Sequence, residues 1–455
     1  MYSQAVDCSC GGNGTIVPMK IAPAGDRALL IDFGAIDAAE LHARAAQVRM
    51  RDDVLACIVG HQSLYVVFTG TASQSIDVSP LRSTAMQTKR HAIDVSFDGA
   101  DLEEFLQRHA IGREAFIARV RTLTLRARYL GFRAGYAYLD GWPAEWAMPR
   151  RPTSRPVGRG TFAIAAAIAG FYPIDTPGGW NLLGRTDARL WDPTRTPPNL
   201  IAAGDEIAIV PVERAIDPPR MPPEPRPVID GVEILATGQF TTIVGPVDWT
   251  RIESGRSAGG PFDEFAASSA NLAVGNDQSA PVMECALVGP RVRFLRDAVV
   301  SWQGVVSHVR AGEEMNLGRV GGMRGYFAIG ADVRAAQPPR SLATLGMTEI
   351  RVRPGPHDTP FRDITCEVTP QLDRVGIRMR PLEPIAFDVP ADLASLGMQF
   401  GTIQLHPDRS LVAMGPDHPI TGGYLQPLTV LWNERWKLGH LKPGDRVRFV
   451  CDQSP

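Results

Sequence analysis

Runs of apolar residues and helical spacing divide this chain before any other property does. Ala28-Leu29-Leu30-Ile31-Asp32-Phe33 reads as a strand, as do Cys57-Ile58-Val59 and Leu64-Tyr65-Val66-Val67-Phe68, because short runs of branched and aromatic side chains suit a buried pleated surface. Ala38 to Arg51 carries helical spacing. So do Asp101 to His109 and Arg113 to Leu123, with Leu102, Phe105 and Leu106 on one face. Strands beside helices predict a small α+β domain over residues 19–125. After Tyr129 the helical period gives way to short strands between Gly and Pro turns, ending at Ile207-Ala208-Ile209-Val210, which predicts a strand-rich unit over 126–213.

The first 18 residues are rich in Gly and Ser and carry no period. They are expected to be disordered, with Met19 an alternative start to Met1. From Pro218 to Pro227 six of ten residues are proline, a composition that favours an extended, semi-rigid spacer. Residues 214–227 therefore read as a linker, with a proline-rich ligand for SH3-type domains as the alternative. Beyond it, 228–455 is again strand-rich, with one helix from Pro261 to Val274.

The two halves rhyme. Pro177-Gly178-Gly179-Trp180 precedes Ala203-Gly204-Asp205 and a closing strand, and Thr421-Gly422-Gly423-Tyr424 precedes Pro443-Gly444-Asp445 and Arg446-Val447-Arg448-Phe449-Val450. Gly-Gly before an aromatic suits a tight turn with close backbone approach, and Gly-Asp suits a turn between strands. Two related β-barrels joined by a linker would explain both.

Composition supports a strand-rich fold: 44 glycines and 38 prolines in 455 residues favour turns over a helical bundle. A net charge of −2 offers a nucleic acid no electrostatic footprint. The longest apolar run, Thr161 to Ile174, is broken by Gly170 and Pro173 and falls short of the roughly 20 residues of a membrane span. No basic, apolar leader precedes Lys20. The cysteines (Cys8, Cys10, Cys57, Cys285, Cys366 and Cys451) are scattered, as expected of reduced thiols in a cytoplasmic protein.

Most chemical motifs are absent. There is no phosphate-binding G-x-x-x-x-G-K-[ST], no H-E-x-x-H and no paired C-x-x-C; neither the nine histidines nor the lone Cys8-x-Cys10 pair has convincing metal-site spacing, so no metal is expected. Gly255-Arg256-Ser257-Ala258-Gly259 matches G-x-S-x-G, but the segment before it is too polar for the buried strand a nucleophile elbow requires. The alternative is a glycine loop before a helix whose N-terminus attracts an anion. Arg150-Arg151, and Arg185 after Gly178-Gly179-Trp180, place forked donors near glycine turns, which suits carboxylate or phosphate. Solvated surface arginines are the plainer alternative. Asp263 and Glu284 are the acids nominated for proton transfer, against a helix cap and a buried paired acid.

These residues also carry a resemblance. Gly25-Asp26-Arg27-Ala28-Leu29, Gly131-Phe132, Gly135, Tyr138-Leu139, Pro149-Arg150-Arg151, Gly170-Phe171-Tyr172-Pro173, Pro177-Gly178-Gly179-Trp180, Leu183-Gly184-Arg185-Thr186 and Asp192-Pro193 make the first half similar to the B subunit of 5-oxoprolinase, also described as allophanate hydrolase subunit 1. Gly260, Asp263, Ala270-Asn271-Leu272, Val274-Gly275-Asn276, Glu284, Gly289-Pro290, Arg324, Tyr326, Asp373-Arg374-Val375-Gly376, Asp417 and Thr421-Gly422-Gly423-Tyr424 make the second half similar to the C subunit of 5-oxoprolinase, of the biotin-dependent carboxyltransferase-like or allophanate hydrolase subunit 2 family. The chain thus resembles a B/C fusion. The resemblance implies cyclophilin-like β-barrels in both halves behind an α+β N-terminal domain. It implies ATP-dependent opening of 5-oxoproline, or a related small lactam or amide, with a separate A subunit.

By motif matching it also implies substrate or nucleotide contacts at Arg150, Arg151, Gly178, Gly179, Trp180, Arg185, Gly259, Gly260, Asn271, Asn276, Arg374, Thr421, Gly422, Gly423 and Tyr424. The chain departs from the pattern in places. Val244-Gly245 and Asp248 stand where the family usually has Gln-Asp and Arg, and Ile168-Ala169 where it has Gln-Thr. Losing such groups removes substrate discrimination. A small-acid-binding or kinase-regulating protein that kept the scaffold is therefore the second expectation, and carboxyl transfer to a small amide the third.

Overall fold

A computed structural model describes residues 4–5, 19–72, 76–79, 88–214, 216–218, 220, 222, 229–334, 347–361, 363–390 and 393–452. The expected disorder at 1–18 and much of the 214–227 linker lie outside the described residues, except that Gln4–Ala5 pair antiparallel with Ile21 and Lys20.

The first unit is a sheet of Lys20–Pro23, Ala28–Asp32, Ser63–Phe68 and Val54–Val59 in that order, with the helix Ala38–Arg49 against it. Asp37 starts the helix by accepting from Ala39 N at 2.8 Å, satisfying a donor that has no partner within the helix. Its central strands read as unbroken apolar runs because both faces are buried. Leu29, Ile31, Leu64 and Val66 join the helix-side core, while Ala28, Leu30, Tyr65 and Val67 pack with Ile252 and Ile420 of the C-terminal half.

The second unit is a seven-stranded sheet in the order Asn181–Arg185, Thr161–Ala165, Ile168–Phe171, Ala137–Asp140, Thr124–Leu130, Glu206–Pro211, Arg90–Val95. The helices Leu102–Arg108 and Arg113–Val120 share its core through Phe105 and Phe116. The apolar run from Thr161 forms two strands, turning at Ala166 with φ 49°.

In the C-terminal half the helix Glu264–Ala273 lies on a five-stranded sheet through Ala266, Ala267 and Ala270. A closed barrel follows: Met347–Pro354, Leu425–Val430, Thr402–Leu405, Leu411–Met414, Gly376–Pro381, Ile364–Leu372, Arg446–Cys451.

The rhyme in the sequence is a rhyme in topology. Read from the strand after each Gly-Gly-aromatic segment, both sheets run in the same order. Each first strand, Arg90–Val95 or Met347–Pro354, pairs in parallel with the last of its unit. Gly204 and Gly444 both take left-handed backbone (φ 91° and 87°), and the aspartates after them accept from Ala202 N and Lys442 N at 2.9 and 2.8 Å. The C-terminal sheet closes through Val352–Val430 pairing, whereas the N-terminal one is held at its closing edge by the bridge Ser96–Arg185.

Among the described residues, no helix is long and apolar enough to cross a membrane, and no three His, Cys, Asp or Glu gather as metal ligands.

Candidate functional site

The halves interlock along a seam built from loops. Gly25 N donates to Pro354 O at 3.1 Å, His61 N to Ser395 O at 2.9 Å, and Gly135 N to Ser254 O at 3.3 Å. The Asp26 carboxylate accepts from Trp432 N at 3.2 Å, and Arg27 lies over the Trp432 ring. At the centre, Phe132 N donates to Thr421 Oγ1 at 3.0 Å, and a Cβ on Gly131 would collide with that same hydroxyl.

Around this contact stands an aromatic cage. Tyr129 stacks on Tyr138 with centroids 4.3 Å apart, and Tyr136 meets Tyr138, Tyr172 and Trp180 edge-on at 5.0, 5.4 and 5.8 Å. The Arg150 guanidinium sits beside Gly423, with Nη2 and Nη1 2.7 and 2.8 Å from where a Cβ there would lie. Burial raises all four tyrosine hydroxyls and keeps them protonated, while the Arg150 charge acts on each in the opposite sense. One guanidinium among protonated hydroxyls is a donor set for an anion.

The seam brings together Arg150, Gly178, Trp180, Thr421, Gly422 and Gly423. Gly178 backs onto Tyr172, and Gly422 onto Met398 and Gln404. Arg151 is tied next door: its N–H reaches Gly179 O at 2.7 Å, and its guanidinium pairs with Asp101 and Glu104 at 2.8 and 2.6 Å.

A second cluster lies in the C-terminal half. Glu284, 2% exposed, accepts from Phe262 N and Tyr326 OH at 2.9 Å each and from Arg374 Nη1 at 2.8 Å, with Arg324 Nε at 3.5 Å. Burial alone would raise this carboxyl, but the two guanidiniums and the Phe262 N–H hold it below its ordinary value. Arg374 also donates to Gly260 O and grips Asp417 through two bonds at 2.8 and 3.0 Å. Asp263 caps the Glu264–Ala273 helix, accepting from Phe265 N and Ala266 N at 3.0 Å each, and its second oxygen meets His440 Nε2 at 2.8 Å. The helix N-terminus behind Gly259 and Gly260 therefore has its donors filled from within, so the anion attraction expected of this glycine loop is taken up by Asp263. Trp249–Ser254, ahead of Ser257, is a 3₁₀ helix rather than the strand of a nucleophile elbow.

The other predicted positions have different partners. Arg185 pairs with Asp98 on the surface. Asn271 bonds Ala280 O, and Asn276 bonds Asn271 and Ile329 O, which ties down the helix end. Tyr424 stacks on His406 at 4.1 Å. Tyr138, Tyr172, Arg324, Tyr326 and Asp417 carried the resemblance but were not nominated as site residues, and Tyr129, Tyr136 and His440 were not singled out. A signal was there for the cage: Tyr129, Tyr136, Tyr138 and Tyr172 are four of the eight tyrosines within a short stretch.

The family described as "Carboxyltransferase domain, subdomain C and D" matches residues 19–201, and "Carboxyltransferase domain, subdomain A and B" matches 254–345 and 333–451. The chain belongs to the carboxyltransferase-domain family. The 5-oxoprolinase B subunit of Haemophilus influenzae is 30% identical over 186 residues, 38% of this chain and 85% of that protein. The B subunit from Bacillus subtilis is 29% identical over 224 residues, 43% and 93% of the two chains. The 5-oxoprolinase C subunit of Escherichia coli is 22% identical over 281 residues, 48% and 90%. The crystal structure of TTHA0988 shares the fold, with a TM-score of 0.75 at 24% identity over 93% of this chain and 99% of that one. This carboxyltransferase-domain protein thus carries a B-like and a C-like half in one polypeptide.

Proposed function

We propose that the protein is the fused B/C component of an ATP-dependent lactam-opening system of the 5-oxoprolinase type, acting on 5-oxoproline or a related small cyclic amide with a separate A subunit. The observation that carries this reading is the seam, where Arg150 and the tyrosines of the B-like half meet Thr421-Gly422-Gly423 of the C-like half. A site made from both halves explains why the two would be kept together. Arg150 takes the carboxylate of the small acid, and the cage hydroxyls, protonated at neutral pH, donate to its amide oxygen. ATP, when bound, supplies the free energy for opening the amide.

A second reading, a small-acid-binding or regulatory protein without turnover, is favoured by one observation. Asp263 and Glu284, the acids nominated for proton transfer, already hold a helix cap and two guanidiniums. ATP-dependent glutamate formation from 5-oxoproline with the cognate A subunit separates the two. The first reading expects turnover that falls about tenfold or more in Arg150→Gln, the scale of one charge-assisted contact. Calorimetric binding of 5-oxoproline without turnover supports the second. Neither binding nor turnover overturns both.

A further inference from the structure

The cage is closed as it stands. Tyr129, Tyr136, Tyr138 and Tyr172 are buried, and so are Trp180 and Thr421. A small acid therefore reaches the hydroxyls only when part of this wall moves. On one side the wall is the loop Gly131-Phe132-Arg133-Ala134-Gly135, between the paired strands Thr124–Leu130 and Ala137–Asp140. The Phe132 ring is half-buried and meets Tyr136 and Tyr172 edge-on at 5.3 and 6.1 Å.

Phe132 is also the strained point of this loop. Its φ is 61°, in the left-handed region that a bulky side chain rarely occupies. Arg133 N donates to Gly131 O at 2.6 Å across it, closing a three-residue turn of the uncommon hand. Gly131 and Gly135 flank the turn, and Gly135 takes φ 73°. Such positions absorb a change of chain direction at little cost.

The loop's own half holds it through Tyr136 N to Arg133 O at 3.0 Å and Arg133 Nε to Thr176 Oγ1 at 3.2 Å. Its two outer donors go to the other half. Phe132 N reaches Thr421 Oγ1 at 3.0 Å, and Gly135 N reaches Ser254 O at 3.3 Å. Gly255 completes the slot, since a Cβ there would lie 3.1 Å from Arg133 O. Backbone strain persists only where the surroundings hold it, and here much of the hold comes across the seam.

We propose that the 131–135 loop is the gate of the cage, latched shut by Thr421 and the Ser254–Gly255 backbone. Loosening of the seam frees both donors, the turn at Phe132 relaxes, and the ring leaves Tyr136 and Tyr172. That the entrant is a small acid rests on the function proposed above; the gate itself does not. The alternative is a turn held by packing alone, with the ring a fixed wall.

Hydrogen exchange of the full-length protein, followed by NMR, needs no ligand and decides between them. A gate requires that the Phe132 and Gly135 amides exchange through one shared opening. They exchange well before Ala127, whose N–H is bonded to Asp205 O at 2.9 Å in the strand below. Thr421→Val removes the acceptor of Phe132 alone. It should speed both amides by about tenfold or more, the scale of one hydrogen bond, although Ser254 O is untouched. Gly135 exchange unchanged in Thr421→Val overturns the proposal. So do wild-type amides at Phe132 and Gly135 as protected as Ala127. Stopped-flow association of 5-oxoproline then reads the ring. Phe132→Ala keeps the hinges and removes the cover, so association quickens, by about tenfold for a gate open about a tenth of the time. Slower association in Phe132→Ala makes the ring a contact wall and overturns the gate. Binding absent from both proteins, with the expected exchange pattern, overturns the substrate reading and leaves the gate supported.

Discussion

The two barrel units place the same strands in the same order, yet they differ where they close. The C-terminal unit closes by strand pairing and encloses an apolar core of Ile350, Ile377, Leu405 and Phe449. The N-terminal unit has the bridge Ser96–Arg185 at the equivalent edge and fills its core with Phe105 and Phe116 from two helices. Their polar chemistry differs as well. The C-terminal half spends its buried charges on one another, Glu284 on Arg374 and Arg324 and Arg374 on Asp417. The N-terminal half has a buried pair of its own, Asp101 with Arg151 and Arg155, and places Arg150 and its tyrosines at the seam. A scaffold repeated in one chain therefore need not repeat a site.

The largest effect is expected from removing the carboxylate that holds the C-terminal charges. Glu284→Ala leaves Arg374 and Arg324 buried without their shared partner and is expected to cost about 3–5 kcal/mol by denaturant unfolding. A loss under about 1 kcal/mol would show that the cluster is not what holds that half.

Acid should find the same half. Burial holds His406 and His418 down to about 4. Between that value and the ordinary 6.5, the unfolded chain binds protons that the folded one refuses. Stability is therefore full above about pH 6.5 and falls as pH drops towards 4, by up to about 1.4 kcal/mol per pH unit for each histidine. Hydrogen exchange at decreasing pH should open the C-terminal barrel first, and His418→Gln should flatten the dependence. Earlier opening of the N-terminal unit would reverse the assignment.

Gly131→Ala strains the seam itself. The new methyl meets Thr421 Oγ1 and should cost about 1–3 kcal/mol. Combining it with Thr421→Gly should recover part of that loss, and strict additivity of the two would mean they do not touch. The smallest effect is expected from Arg185→Ala. Its ion pair with Asp98 is exposed on both sides, so unfolding free energy should change by less than about 1 kcal/mol.

How much of this was legible in the sequence follows from how local each cause is. The runs at Ala28–Asp32 and Ser63–Phe68 were readable because a sheet buried on both faces leaves no polar position to blur them. The rhyme was readable because Gly204-Asp205 and Gly444-Asp445 make their turns from their own backbones. Arg90–Val95 was not read as a strand. Half of its residues are polar, without strict alternation, and the parallel pairing that fixes it comes from Glu206–Pro211, far along the chain. The motif residues Gly25-Asp26-Arg27, Gly131-Phe132 and Thr421-Gly422-Gly423 were picked out individually, but that Gly131-Phe132 meets Thr421 and Asp26-Arg27 meets Trp432 is a property of the docked halves. Asp263 and Glu284 were nominated as acids at the two ends of the helix region, Glu284 alone in apolar text. Burial of such groups demands partners, and those partners, Arg324, Arg374 and His440, come from other elements.

In the proposed function the small acid binds at the seam, with Arg150 holding its carboxylate. Calorimetric titration of 5-oxoproline into the wild-type protein, Arg150→Gln and Arg185→Gln tests it most directly. Arg150→Gln is expected to weaken binding by about tenfold or more and Arg185→Gln to leave it within about twofold. Unaltered binding in Arg150→Gln, or its loss in Arg185→Gln alone, would contradict it.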